Sequence, residues 1–230
     1  MRLLNKKSLF FILLAWIYAN ANATSSPLKE LKWTKIKDQA GIQVYIPTEY
    51  SHASGLVPIR FKATLKFPVW RVLSVLADDK RKTEWLPRSK EVKLIEKATV
   101  ENFTVYYRYD SPWPFKDREF LIQNIAKLDK SHSRVVVTIK SVEHTKAPLL
   151  AATVRGKTFD GYSIVTPVGH NETLIEMAFL NDFGGFIPKF LINIVQKKWP
   201  FKFMQALRLQ LSKKDILLNP SFNPKDKVPQ

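Results

Sequence analysis

Apolar residues return at every second position through most of this chain, and at every third or fourth position in only two places. The segment from Leu31 through Ile36 opens an alternating run, Gly41 breaks it, and Ile42, Val44 and Ile46 resume it, which predicts a β-hairpin. A third strand is expected over 56–65, where Ile59, Phe61, Ala63 and Leu65 share one face. Pro68 suits a first helical turn, and Val69, Val72, Leu73 and Leu76 then line one side of a short helix. Residues 77–87 continue as a broken helical turn ending before Pro87. Seven more segments, 92–96, 104–109, 119–128, 133–141, 150–154, 161–166 and 174–179, are β-branched or aromatic and separated by turn residues. With no helical interlude among them, they predict an antiparallel meander and argue against βαβ units.

The second helical period begins after Gly184 and Gly185, with Pro188 at a first helical position. Ile187, Phe190, Leu191, Ile194, Val195 and Trp199 fall on one wide arc, while Lys189, Asn193, Gln196 and Lys197 share the other side. Pro200 interrupts the ladder, and Phe203, Met204, Leu207 and Leu211 lie on a different side of the wheel. The pattern therefore predicts a bent helix, or two abutting ones, whose apolar face swings at Pro200. A sheet of this size curves, and this last helix is the one element long enough to cover its concave face. Residues 219–230 hold three prolines and no apolar period. The folded domain is accordingly expected over 24–213, with 214–230 a disordered tail.

Two features outside these elements change the picture. The chain has 230 residues, 45% hydrophobic, and carries a formal charge of +17, which suits one sizeable domain with an anionic partner. Its lysines are scattered without an Arg-rich run or zinc-finger spacing, so no nucleic-acid partner is expected. The second feature is the start of the chain. Arg2, Lys6 and Lys7 precede an apolar run from Ser8 to Tyr18, and Ala21-Asn22-Ala23 offers a small-x-small cleavage site. Residues 1–23 read as a secretory signal cleaved after Ala23, which leaves +14 on the remainder. The run is short for a membrane span, although a retained anchor is the alternative. The compact leader suggests a bacterial protein, exported to the periplasm or beyond. Asn102-Phe103-Thr104 and Asn171-Glu172-Thr173 would be glycan acceptors on a eukaryotic route. There is no cysteine, so neither disulfides nor a thiolate contribute.

Three segments, in order, resemble one known family. Val72-Leu73-Ser74-Val75-Leu76-Ala77-Asp78 through Arg81 to Trp85 looks like the helix-then-tryptophan signature of the START domain, the lipid-transfer module related to the steroidogenic acute regulatory protein. Tyr106-Tyr107 through Pro112-Trp113-Pro114 to Arg118-Glu119-Phe120 is similar to that family's Tyr-Tyr, Pro-x-Pro, Arg-Asp-Phe segment. The Gly184-Gly185-Phe186-Ile187-Pro188 turn, with its helix ending in Leu207-Arg208, matches the family's C-terminal element. The resemblance covers about 28–211. It implies an α+β helix-grip fold, a curved antiparallel sheet wrapped around the C-terminal helix with an internal hydrophobic cavity for one lipid. It further implies that Arg118 points inward and pairs with a carboxylate near the ligand's polar end, but Glu119 replaces the family's aspartate, and the longer acid can pair elsewhere.

The ligand-binding residues expected on this reading are Arg118, Tyr107, Trp85, Phe183, Phe186, Phe190 and Ile194. Tyr107 is read as facing opposite to Tyr106 and Tyr109, one face lining core or tunnel. Trp85 and Trp113 serve as packing anchors. Asp117 is read as a turn residue, and Asp78-Asp79 with Lys80, Arg81 and Lys82 as a solvated cluster. Phe183 or Phe186, beside Lys189, Lys197 and Lys198, would form an edge for transient docking on an anionic membrane. Against that, both phenylalanines could fold inward. No cofactor or metal is expected, since His52, His132, His144 and His170 lack ligand spacing. The reading is a monomeric, non-catalytic carrier that moves a sterol, phospholipid or similar lipid between membranes. The alternative is a helix-grip enzyme, cyclase- or hydrolase-like, acting on a hydrophobic substrate.

Overall fold

Residues 26–222 are described by the computed structural model, apart from the side chains of Lys189, Phe190, Leu191 and Asn193. The leader at 1–23 and the last residues, 223–230, lie outside that range. In chain order come β1 (Trp33–Gln39), β2 (Ile42–Pro47), β3 (Ile59–Leu65), α1 (Val69–Ala77) and a 3-10 turn at Asp79–Glu84. β4 (Ser89–Lys97), β5 (Asn102–Tyr109), β6 (Asp117–Asp129) and β7 (Arg134–Ser141) follow. The chain continues with β8 (Thr153–Arg155), β9 (Lys157–Gly169), β10 (Glu172–Asp182) and α2 (Lys189–Ser212).

The strands form one sheet in the order β1-β2-β3-β10-β9-β7-β6-β5-β4, every neighbouring pair antiparallel. The meander holds from β4 to β7 and through β9 and β10. The expected strand at 150–154 is the exception. It shrinks to Thr153–Arg155 and pairs with β6 in parallel, off the main path. The N-terminal strands join the meander through β3 lying against β10, with Phe61 opposite Met177.

Alternation decides which side of the sheet is filled. Ile59, Phe61, Ala63 and Leu65 all turn inward and are at most 3% exposed. They pack with Ile42, Val44, Val165 and Ile175 from neighbouring strands, with Val72 and Val75 of α1, and with Phe203, Met204, Leu207 and Leu211 of α2. The outer face of β9 and β10 is covered separately by the N-terminal segment, where Leu28 and Leu56 pack near Tyr162, Ala178 and Leu180.

α2 corrects the expected swing. It is a single helix with Pro200 inside it. Its buried stripe runs Ile192, Gln196, Pro200, Phe203, Leu207, Leu211, at steps of three and four that stay on one face. Ile194 and Val195 point away from that face and are each 45% exposed. The apolar arc misled because Gln196, a polar residue with an apolar stem, occupies the inward line. Pro200 has no N–H to give the Gln196 carbonyl, so the helix continues with one rung missing.

The tail is a second correction, because residues 213–222 are not disordered but lie against α1. The Asn219 N–H donates to Ser74 Oγ at 3.0 Å, Ile216 packs on the main core, and Pro220–Phe222 forms a 3-10 turn. Arg71 of α1 donates to the Leu211 carbonyl at 2.8 Å, satisfying one of the orphan acceptors at the end of α2. Glu84 accepts from Lys213 at 2.9 Å and from Gln210 at 3.2 Å. Prolines signalled a loose end here, but side-chain anchors to α1 hold it.

Candidate functional site

The inner faces of β5 and β6 form rows that the antiparallel register fixes. Val105 stands opposite Ile122, Tyr107 opposite Phe120, and Tyr109 opposite Arg118. Tyr107 and Tyr109 therefore share a face, and Tyr106 is the one turned outward. This reverses the expected assignment of Tyr107, because a period of two unites i with i+2. The two inner rings stack at 6.1 Å, Tyr109 meets Phe120 edge-on at 6.0 Å, and Phe120 meets Phe183 at 6.0 Å.

Trp199 of α2 packs against the main core among aromatic rings. Its ring lies 6.0 Å from Phe61, 5.4 Å from Phe179 and 4.8 Å from Phe203. The inner residues Tyr107, Tyr109, Met177 and Phe179 are only half-buried. Among the described residues, the α2 backbone runs most closely alongside β2, β3 and α1. Yet burial pushes the pKa of the Tyr107 and Tyr109 hydroxyls up. Both rings pack against the main core while part of each is left uncovered. A separate cleft of about 100 Å³, lined by Ile46, Val57, Pro58, Ile59, Gln196 and Lys197, lies between the sheet edge and α2. It is too small for a lipid, since ligand pockets run from roughly 300 Å³ upward.

Polar groups meet this inner face at two places. The first was read as solvated surface and is not. Lys82 is buried, pairs with Asp79 one 3-10 turn earlier, and donates to Tyr107 Oη at 3.3 Å. The three-residue spacing puts both charges on one side of the turn. Burial alone works against the ammonium, but the adjoining Tyr107 and Asp79 outweigh it and raise the Lys82 pKa. Arg81 in the same run does face outward, bridging Glu84 and Asp215.

Arg118 supplies the second place. It is 5% exposed and finds no carboxylate among the described residues. Its guanidinium donates to the Lys116 carbonyl at 2.6 Å, the Phe183 carbonyl at 3.2 Å and the Gly184 carbonyl at 3.4 Å. Burial lowers its pKa. The pairing implied by the family resemblance is thus replaced by carbonyls of the loop before α2. Glu119, the adjacent acid, points to the outer face. There it accepts from Arg155 at 2.7 Å and from Tyr106 Oη at 2.8 Å.

The expected site residues divide. Arg118, Tyr107 and Phe183 gather around the inner rings. Trp85 belongs to the solid core, 5.5 Å from Phe203, and its Nε1 is buried without a partner. Phe186 is 92% exposed and Ile194 faces outward, so neither lines the interior. The side chain of Phe190 is outside the described set. Trp113 is no packing anchor but stands exposed on the β5–β6 turn, a turn that Asp117 braces by accepting from the Ser111 N–H at 3.3 Å. Sequence reasoning missed Tyr109 and Phe120, which strict alternation would have found. It also missed Lys82, whose burial nothing in a run of charges signals. Among the described residues, no three His, Cys, Asp or Glu side chains converge as a metal site.

The sequence matches the family model described as START domain over residues 18–214. Curated proteins give no significant match. In fold the chain is similar to human STARD10, with a TM-score of 0.72, 20% identity, and coverage of 93% of this chain and 82% of that one. It is similar also to human StAR-related lipid transfer protein 5, with a TM-score of 0.71, 14% identity and coverage of 89% and 95%. A STAR-related lipid transfer protein fragment from Xanthomonas axonopodis is 26% identical, with a TM-score of 0.68 and coverage of 79% and 99%.

Proposed function

The chain belongs to the START-domain family, and from that premise we propose that it binds one lipid inside the sheet and carries it between membranes, breaking no covalent bond. The observation that carries this reading is the stacked Tyr107–Tyr109 pair on the inner face of the sheet, half-buried beside the buried Phe120. An apolar ligand laid against that pair leaves water, a gain on the order of 25 cal/mol per Å² buried. The loop 181–186 serves as the gate. Its Gly184 and Gly185 both hold positive φ, at 66° and 63°, a conformation that lets the chain turn sharply into α2.

A docking edge lies beside this gate. Phe186 projects into solvent, and Ile194 and Val195 on the outer side of α2 accompany exposed Lys197 and Lys198. Apolar side chains that insert and ammonium groups that meet anionic head groups act together at a membrane surface. Residues 1–23 direct export and are removed after Ala23, so the carrier works outside the cytoplasm as a monomer. Native mass spectrometry of gently purified protein tests the whole reading. Mature mass plus one lipid is expected. Protein that carries no lipid, and takes none from vesicles, overturns it.

A further inference from the structure

We propose that Arg118 is a seat for the phosphate of an anionic lipid head group, which replaces two carbonyls of the loop 181–186 on its guanidinium and so frees the gate. The inference rests on the lipid-carrier reading and adds to it how a membrane opens the protein. Nε and Nη2 of Arg118 hold the carbonyls of two successive residues, Phe183 at 3.2 Å and Gly184 at 3.4 Å. These two nitrogens form one flat edge of the guanidinium, and the parallel N–H groups of that edge fit two oxygens of a single phosphate. Nη1 is anchored separately, to the Lys116 carbonyl at 2.6 Å, and keeps the side chain in place when the loop leaves.

Charge and access both favour such a visitor. Arg118 is buried, and the acids near it in the chain are engaged elsewhere. Asp117 pairs with Arg108 and Lys90, Glu119 pairs with Arg155, and Asp182 accepts from the Gly184 N–H at 2.8 Å. A buried cation held by neutral carbonyls is left without an offsetting charge, which an anion supplies. A charge-assisted hydrogen bond is also roughly twice as strong as a neutral one. The way in is short. A Cβ on Gly185 would stand 3.7 Å from Arg118 Nη2, and Gly185 is itself exposed, so a residue without a side chain lies between the guanidinium and solvent. Phe186 projects from the next position. Lys116, two residues before Arg118, and Lys157, opposite Asp182 in the sheet, are exposed at the same end. Insertion of Phe186 into an anionic surface therefore brings head groups within reach of Arg118.

Amide exchange at Gly184 and Gly185 in the full-length mature protein reads the loop directly. Three additions are compared at fixed ionic strength: inorganic phosphate, vesicles of phosphatidylcholine, and vesicles that also contain phosphatidylglycerol. The phosphatidylglycerol vesicles are expected to speed both amides several-fold and inorganic phosphate to speed them less. Phosphatidylcholine, whose head group has no net charge, should leave them unchanged. Arg118→Met should exchange fast from the outset and ignore every addition, whereas Arg118→Lys, which keeps the charge without the fork, should retain a weakened response. Wild-type amides that no anion accelerates overturn the inference, as does an Arg118→Met variant that still responds. Phosphate acting where phosphatidylglycerol vesicles do not overturns the membrane source and assigns the seat to a soluble anion. Lipid bound to a protein whose gate ignores anions leaves the carrier reading standing without this seat. A gate that responds in a protein carrying no lipid keeps the seat and removes the carrier reading.

Discussion

Arg118 Nε donates to the carbonyl of Phe183 at 3.2 Å, tying the inner end of β6 to the loop that leads into α2. A buried guanidinium held by carbonyls alone is a clamp that costs little to release, since no opposite charge has to be separated. Replacing it by methionine keeps the apolar stem and removes the donors. Arg118→Met is expected to speed amide exchange at Gly184 and Gly185, and to accelerate lipid transfer between vesicles several-fold. The loss of stability should be about 2 kcal/mol, the usual cost of stranding buried carbonyl acceptors. Unchanged exchange at those two amides would show that the loop is held by something else.

Glu119 and Arg155 form the opposite kind of contact, an ion pair on the outer face with the carboxylate wholly buried. Burial opposes the Glu119 charge, but the bonds from Arg155 and Tyr106 prevail and hold its pKa below the ordinary value. A carboxylate with a depressed folded-state pKa contributes stability in full above its unfolded pKa, about 4.3. That contribution is lost as pH falls through the folded value. Glu119→Gln should cost about 3 kcal/mol at neutral pH, and its urea midpoint should fall less steeply than the wild type's between neutral pH and the acid range.

The two gate glycines are not equivalent. A Cβ on Gly184 would lie 2.7 Å from the Arg155 carbonyl oxygen and 2.9 Å from Val154 Cγ1, whereas one on Gly185 meets nothing nearer than 3.6 Å. Both substitutions bear the left-handed backbone penalty of roughly 1 kcal/mol, but only Gly184→Ala must also push backbone aside. Gly184→Ala should therefore lower the unfolding temperature clearly more than Gly185→Ala. Equal losses would mean the loop yields freely around position 184.

How much of this was legible beforehand depends on which residues carried an unambiguous period. Ile59, Phe61, Ala63 and Leu65 announced both their strand and its buried face, because nothing polar competes in that row. The helix arc failed where Gln196 lies inward and Ile194 outward, since a glutamine stem packs as well as many apolar side chains and the wheel counts only polarity. Lys82 was hidden for a related reason. Its burial depends on Tyr107, which arrives from a strand formed later in the chain. The long-range partner of Arg118 was equally invisible, because carbonyls leave no mark in a sequence.

Residues 213–222 give a direct check on the corrected tail. Truncation after Ser212 removes the Asn219–Ser74 bond, the Arg81–Asp215 pair and the packing of Ile216. Burial of one such side chain contributes about 1.5 kcal/mol, so a lower unfolding temperature with an unchanged far-UV spectrum is expected. A truncated chain as stable as the full one would show that these contacts are incidental.

At the proposed docking edge, Phe186→Ser combined with Ile194→Ser should reduce co-sedimentation with vesicles containing phosphatidylglycerol at least several-fold. Thermal stability should hold, because both side chains are substantially exposed. Retention of full vesicle binding would point to another surface.

The pairing of β3 with β10 joins Ile59 to Phe179 and Leu65 to Thr173, segments about a hundred residues apart, and non-local pairings of that kind slow folding. While the polypeptide is being made, the N-terminal hairpin therefore waits with β3 as a bare flank until almost the entire chain has emerged. Assembly of the sheet is a late, concerted event, and the interval before it is when nascent molecules are most prone to stick to one another. Holdase chaperones, or slower synthesis, should raise the yield of native protein more than any change made to the finished structure.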